Sequence, residues 1–99
     1  MKVTKTVGGN RMEAVVEGKI DAITAPQLEA ELSGQLNGIT ELVIDFGAVE
    51  YISSAGLRTL LYLRQMLGEV NGTLAVRNVP RIVMNIFEVT DFHNIIKII

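Results

Sequence analysis

Two adjacent serines, Ser53 and Ser54, are the residues best placed to do chemistry, because they stand between a stretch typical of a strand and a stretch typical of a helix. The first N–H groups of a helix have no intrahelical partner and carry a positive partial charge, so either serine could cap it. Capping does not explain Gly56 in the first turn, where glycine costs about 0.5 to 1 kcal/mol relative to alanine. The pattern therefore predicts that another molecule approaches this helix start closely.

The sequence contains no clear set of catalytic residues. The serine pair resembles a nucleophile elbow, but Ile52 stands where that motif requires glycine. The single histidine, His93, has no second metal ligand at a suitable spacing, so we expect a surface or capping role for it. The carboxylates that could act in general acid–base chemistry are scattered: Asp21, Asp45, Glu50 and Asp91. We therefore predict a protein that is not an enzyme, with no cofactor and no metal; an enzyme using Asp21 and Ser54 is the weaker alternative.

Composition sets further bounds. The 99 residues, 48% of them hydrophobic, suit a single domain spanning 1–99. A net charge of -2 and a pI near 5.3 offer no basic field for nucleic acid, so we expect no direct nucleic-acid partner. No apolar run approaches the roughly 20 residues that cross a bilayer, and the first ten residues lack the apolar core of a secretory signal. We expect a cytoplasmic protein without membrane insertion.

The elements before the serine pair are predicted from turn residues and periodicity. Residues 3–20 favour extended structure and are interrupted by Gly-Gly-Asn at 8–10, which predicts a β-hairpin. Thr24 and Gln27 have the spacing of a capping box at a helix start, with a buried stripe to follow at Leu28, Leu32 and Leu36. The nearly continuous apolar run Glu41–Phe46 predicts a central strand covered on both faces by helices.

The second half repeats the alternation of helix and strand. A helix is predicted from about Ala55 to about Glu69, ended by Asn71 and Gly72, with one apolar face at Leu60, Leu63, Leu67 and Val70. A strand at 73–78 leads to a third helix, capped by Asn78 and started by Pro80, with an apolar side at Ile82, Val83, Ile86 and Phe87. Residues 94–99 are predicted to close the chain as a strand. The fold expected is α/β, a mixed sheet of about five strands with helices mainly on one face.

Three segments together resemble the bacterial STAS domain family of anti-sigma factor antagonists. "VIDFGAVEYISSAGLRTLL" resembles its signature, in which a strand ending in aspartate, five residues and Tyr or Phe leads to a phosphorylatable serine and then to Gly-Leu at a helix start. "GKIDAITAPQLEAEL" resembles its helix-entry segment, and "FEVTDFHNIIKI" resembles its final passage. The likeness covers nearly the whole chain. Many relatives continue into another helix, whereas this sequence stops at Ile99, so we expect the domain without it.

The resemblance implies a phosphorylation switch. It places the phosphoacceptor at Ser54; Ser53, where several relatives have aspartate, is the less favoured acceptor and is expected to cap. The unmodified protein is expected to bind an anti-sigma factor serine kinase and so free the sigma factor. Phosphorylation is expected to end this binding, and a PP2C-type phosphatase is expected to remove the phosphate. The implied partner-binding residues are Asp21, Thr24, Ser53, Ser54, Ala55, Gly56, Leu57 and Arg58.

Two alternatives remain open at this point. STAS-like domains also serve as non-phosphorylated scaffold subunits of signalling or lipid-transport complexes, which a kinase assay would distinguish. The isoleucines at 95, 96, 98 and 99 would face both sides of a last strand, and we expect this edge to promote a weak homodimer paired strand to strand.

Overall fold

The chain forms an opening hairpin followed by alternating helices and strands, as described by a computed structural model of residues 1–99. The elements in chain order are β1 (Lys2–Gly8), β2 (Arg11–Ile20), α1 (Thr24–Ser33), β3 (Glu41–Ile52), α2 (Ser54–Gly68), β4 (Thr73–Arg77), α3 (Arg81–Val89) and β5 (Lys97–Ile98). A single 3₁₀ turn, Phe92–Asn94, precedes β5.

The five strands lie in the sheet in the same order as in the chain, β1-β2-β3-β4-β5. β1 is antiparallel to β2, and every later pair is parallel. The hairpin turns at Gly9 and Asn10, where Gly9 has a φ of 59° that glycine adopts readily. The predicted hairpin and the α/β mixed sheet are confirmed.

All three helices pack on one face of the sheet, and their buried residues belong to one cluster with the strands. Alternate residues of the central strands point into this core because side chains alternate across a strand. The cluster includes, from β2, β3 and β4 respectively, Met12, Ala14 and Val16; Leu42, Ile44 and Phe46; and Leu74 and Val76. Phe87 of α3 packs between Phe46 and Phe92 with tilted rings, whose centroids are 6.2 and 5.2 Å away. Helices on one face are as predicted.

The opposite face of the sheet is polar, which makes the prediction of helices on both faces of β3 wrong. Val43 and Ala75 are buried on this face. No helix packs on them; their neighbours on this face are charged side chains of the adjacent strand positions. The ion pairs run across β2, β3 and β4 and join Arg11 to Glu41 and Glu13, and Arg77 to Glu13 and Asp45. An apolar run thus marks a strand in the sheet centre without specifying what covers its second face.

β3 extends six residues past its predicted end at Phe46, to Ile52. β4 pairs with β3 only as far as Asp45, and beyond that point β3 continues against β2 alone. The β2–β3 register shifts twice along this extension, between Val15 and Glu17 and between Gly18 and Lys19, and Gly18 has a φ of 102°. Residues 47–50, Gly-Ala-Val-Glu, are mostly poor strand formers, so propensity did not predict the extension.

The helix ends differ from prediction by a few residues. Leu28 and Leu32 are buried in α1, but Leu36 follows the helix and is half-buried. In α2 the stripe Leu60, Leu63 and Leu67 is confirmed, whereas Val70 lies past the end and is 55% exposed. Just past the end of α2, Asn71 has a left-handed φ of 57°, and the Gly72 N–H donates to the Leu67 carbonyl at 2.7 Å. Both predicted stop residues are confirmed.

Asn78 does not cap α3, contrary to prediction. Its backbone is left-handed, with a φ of 54°, and its side-chain amide donates to the Asp45 carboxylate at 3.0 Å. Pro80 stands immediately before the helix instead of in its first turn. Val83 and Phe87 are buried as expected, but Ile82 is 52% exposed.

The last strand is much shorter than predicted. Residues 92–94 turn as a 3₁₀ helix, and β5 pairs with β4 only through Lys97 and Ile98. A two-residue strand offers little ladder for strand-to-strand dimerisation. Ile95 and Ile99 are exposed at this end, and the weak homodimer stays a prediction.

Candidate functional site

α1 and α2 begin at the same edge of the sheet, next to one another. Ile20 and Ile52 end β2 and β3 and lie opposite each other in the parallel ladder. The N–H of Ser53 donates to the Ile20 carbonyl at 2.8 Å. The segment after Ile20 and the segment after Ile52 are therefore neighbours at the carboxyl ends of the strands, where open α/β sheets usually carry their sites.

The entry to α1 is built around Asp21. Its Oδ1 accepts hydrogen bonds from the N–H groups of Ile23 and Thr24, at 2.9 and 3.0 Å. In return the Thr24 hydroxyl accepts from the Asp21 N–H at 2.9 Å and donates to the Lys19 carbonyl at 2.7 Å. This reciprocal pair replaces the predicted capping box of Thr24 and Gln27. Donation by the Thr24 and Ile23 N–H groups lowers the pKa of Asp21, because it favours the ionised carboxylate.

The two serines have different environments at the start of α2. Ser54 is the first helical residue and is exposed. Ser53 precedes the helix with an extended backbone, and its hydroxyl oxygen is buried and has no hydrogen-bond partner. Since no side chain caps α2, the predicted capping role of Ser53 is wrong. A reagent from solution reaches Ser54 far more readily than Ser53.

Gly56 is required by packing inside the domain. A Cβ at this position would lie 2.5 Å from the Cγ1 atom of Ile52 and 2.8 Å from the Cγ2 atom of Ile20. Packing against the ends of β2 and β3 therefore accounts for a glycine here, and the interpretation that Gly56 admits another molecule stays a prediction. Leu57 is likewise buried, at 9% exposure, so neither residue presents a side chain to a partner.

Ala55 is half-buried, and Arg58 is exposed. Arg58 takes part in none of the five ion pairs of the molecule. It follows Ser54 by four residues in the helix, a spacing that places two side chains on the same helical surface. Arg58 is thus a free cation one turn from the exposed serine.

The predicted partner-binding residues did not include two exposed apolar residues at this edge. Ile23, in the Asp21 loop, is 76% exposed, and Tyr51, near the end of β3, is 42% exposed. Periodicity could not mark either one, because Ile23 lies in a loop and Tyr51 in the part of β3 that was not predicted. The sequence signal for Ile23 was its position two residues after Asp21, where an aspartate turn fixes the backbone.

Ser54 lines none of the four main surface clefts. One of them, of about 750 Å³, lies against the later part of α2 and β5, and its lining includes Leu61, Arg64, Ile95 and Lys97. Small-molecule sites are usually concave and enclose most of their ligand. An exposed serine outside these clefts fits contact with a macromolecule better than binding of a small substrate.

The other candidate groups do not converge on this edge. His93 is exposed, with Nδ1 3.3 Å from the Phe87 carbonyl oxygen near the end of α3, which matches the predicted surface or capping role. Asp45 is partly buried, which alone would raise its pKa, but the Gly47 N–H, the Asn78 amide and Arg77 together lower it. No three of the histidine, aspartate and glutamate side chains are grouped as metal ligands. None of the helices has the length and apolar character needed to span a membrane.

Comparison with known proteins assigns the family. A family model described as the STAS domain matches residues 3–99. The chain is 35% identical over 99 residues to BtrV of Bordetella bronchiseptica, named as a candidate anti-sigma factor antagonist, and the match covers 99% of this chain and 85% of that protein. It is 39% identical over 71 residues to the anti-sigma-F factor antagonist RsfB of Mycobacterium tuberculosis, covering 68% of this chain and 57% of RsfB.

Solved structures agree on the fold. The anti-sigma factor antagonist SpoIIAA in its unphosphorylated form matches with a TM-score of 0.85 and 17% identity, over 99% of this chain and 88% of that one. An anti-sigma factor antagonist from Mycobacterium paratuberculosis matches with a TM-score of 0.85 and 26% identity, over 98% of this chain and 83% of that one. From the family model, the relatives and the shared fold together, we conclude that this chain belongs to the STAS domain family.

Proposed function

We propose that this protein is an anti-sigma factor antagonist controlled by phosphorylation of Ser54. In its unmodified form it binds an anti-sigma factor that is also a serine kinase, and so frees the sigma factor. Phosphorylation ends the binding, and a PP2C-type phosphatase restores it. The protein acts in the cytoplasm as ligand and substrate, not as catalyst. The names of the relatives BtrV and RsfB support the antagonist role.

The observation that carries the choice of Ser54 is the contrast between the two hydroxyls. Ser54 is exposed at the start of α2, whereas the hydroxyl oxygen of Ser53 is buried. A kinase must bring the acceptor oxygen in line with the γ-phosphate of ATP, which a buried oxygen does not allow. The position of Ser54 outside the four main clefts agrees with a partner that is itself a protein.

The electrostatics of this edge support a switch that leaves the fold intact. A phosphate on Ser54 adds a charge of about -1.5 to -2 at pH 7. Within the domain this charge lies beside the first N–H groups of α2 and one turn from Arg58, both of which stabilise an anion. In an interface the same charge has to be desolvated and faces any carboxylate of the partner. The modification therefore weakens docking much more than it disturbs the domain.

The proposed partner-binding surface consists of the residues predicted from the sequence. Some of them contact the partner directly, and the others support the surface from inside the domain. Ser54 and Arg58 are exposed and contact the partner directly, with Ala55 at the margin. Gly56, Leu57 and Ser53 shape the helix start from beneath. Asp21 and Thr24 are bonded to each other and fix the neighbouring loop.

Mass spectrometry of the protein purified from its own host tests the acceptor. We expect one added phosphate on Ser54, lost in Ser54→Ala and retained in the matched variant Ser53→Ala. The kinase is then purified by its ability to phosphorylate the wild-type protein with ATP, and we expect it to bind wild type but not Ser54→Asp. A phosphate on Ser53 would overturn the site and keep the function. No phosphate under any growth condition would favour the non-phosphorylated scaffold role.

A further inference from the structure

We infer that Ile23 is an apolar anchor through which this protein docks onto the serine kinase that phosphorylates Ser54; the inference rests on the proposed function. Ile23 is 76% exposed, although isoleucine is among the residues most often buried. Among the large apolar side chains only Val89 is more exposed, at 87%. Ile23 carries no packing role that would explain its presence in the Asp21 loop.

The backbone beneath Ile23 is fixed. Its N–H donates to Asp21 Oδ1 at 2.9 Å, and the next N–H, that of Thr24, donates to the same oxygen at 3.0 Å. The Thr24 hydroxyl ties the loop back to β2 through the Lys19 carbonyl. Isoleucine is β-branched and has few χ1 rotamers. A side chain held in this way loses little entropy on binding, which is the property of a preorganised contact.

The location of Ile23 joins it to the acceptor surface. Ile23 follows the end of β2 by three residues, and Ser54 follows the end of β3 by two, at strand ends that are paired directly. Adjacent strands are about 4.8 Å apart. A kinase that reaches Ser54 therefore covers the Asp21 loop as well. An apolar pocket on that kinase accommodates Ile23. The exposed Arg58 favours acidic side chains on the kinase next to that pocket.

Asp21 acts in this scheme as a positioning residue. Its carboxylate is engaged by the loop N–H groups and orients Ile23 without contacting the partner. An asparagine at position 21 retains the oxygen that accepts both N–H groups, whereas alanine removes it. Rescue by asparagine thus distinguishes positioning of the loop from a direct charge contact with the kinase.

The test measures the affinity and the phosphorylation kinetics of four variants with the kinase purified by its activity on Ser54. The variants are Ile23→Ser, Asp21→Ala, Asp21→Asn and the matched control Val70→Ser. Val70 is a 55% exposed aliphatic residue past the far end of α2, and fifteen helical residues place it about 22 Å from Ser54.

We expect Ile23→Ser to raise Kd and KM about tenfold or more with kcat nearly unchanged, because it removes binding shared by ground and transition states. Val70→Ser should stay within about twofold of wild type, Asp21→Ala should raise KM, and Asp21→Asn should restore most of the loss. Equal Kd and KM for Ile23→Ser and Val70→Ser would overturn the inference while leaving the proposed function standing. If no kinase phosphorylates wild-type Ser54, the proposed function fails and the inference fails with it.

Discussion

Replacing Gly56 by alanine tests whether this glycine serves packing, as the structure indicates, or access by a partner. In a helix the change from glycine to alanine is favourable by about 1 kcal/mol, because alanine restricts the unfolded chain and glycine does not. The added methyl carbon, however, would lie 2.5 Å from Ile52 Cγ1 and 2.8 Å from Ile20 Cγ2. Carbon atoms pack best at about 3.5 to 4.0 Å, so a shift of nearly 1 Å is needed.

Neither isoleucine can move easily. Ile20 is fully buried and Ile52 is 1% exposed, and both stand on paired strands. Overpacking by a methyl group in such a core costs about 1 to 3 kcal/mol. Contacts this short lie towards the upper end of that range, so the net loss of stability for Gly56→Ala is expected to be about 1 to 2 kcal/mol, after the gain in helix propensity.

Urea denaturation at pH 7 measures this loss, with Gly68→Ala as the matched control. Gly68 ends the same helix, and a Cβ there meets nothing within 4 Å. The control should be as stable as wild type or more so, by up to about 1 kcal/mol. In thermal melts Gly56→Ala should lower Tm by about 4 to 8 °C for each kcal/mol lost. A Gly56→Ala protein at least as stable as wild type, but defective in partner binding, would refute the packing argument.

Three further substitutions, one of them a control, test other parts of the structure. Asp45→Asn should destabilise the protein at pH 7, and the difference in stability from wild type should shrink as the pH falls below about 4. The reason is that the pKa of Asp45 is lowered in the folded state. Such a carboxylate stabilises the folded protein above the unfolded pKa of about 3.9, and this contribution is lost as the pH falls through the folded pKa. Urea midpoints between pH 7 and pH 3 measure this, and a gap that stays constant over that range would contradict it. Phe87→Ala should cost about 3 to 5 kcal/mol because its ring is fully buried between two others. Val89→Ala, two residues on and 87% exposed, should stay within about 0.5 kcal/mol of wild type; similar losses for both variants in calorimetry would argue against the described placement of α3.

Element type and order could be predicted from the sequence because they depend on periodicity. Helical periodicity is visible in the sequence itself. It appears in the four-residue spacing of Leu28 and Leu32 and in the apolar stripe from Leu60 to Leu67. The turn at Gly9 and the stop at Asn71 are local as well, since each depends on a left-handed φ that few residue types adopt without strain.

The failures lie where a tertiary partner decides. Asn78 has the residue type of a helix cap, but its side-chain amide donates a hydrogen bond to the carboxylate of Asp45 instead. Asp45 lies on a strand 33 positions earlier in the chain. Thr24 is a local exception: it was predicted to cap α1, but it is the first helical residue, and its hydroxyl accepts a hydrogen bond from the Asp21 N–H. The burial of the Ser53 hydroxyl and the exposure of Ile23 depend on how β2 and β3 end side by side, which no local pattern encodes.

The agreement between strand order and chain order has a consequence for biosynthesis. Each strand from β2 onward joins the sheet beside the strand made just before it, so no strand has to be inserted between two that are already paired. A nascent chain can therefore extend the sheet at one edge as it leaves the ribosome, and loop closures stay short, which favours fast folding. The Ser54 edge is complete once β3 and α2 have emerged. The two-residue β5 follows the other four strands in the chain, so β4 remains the growing edge until β5 has emerged.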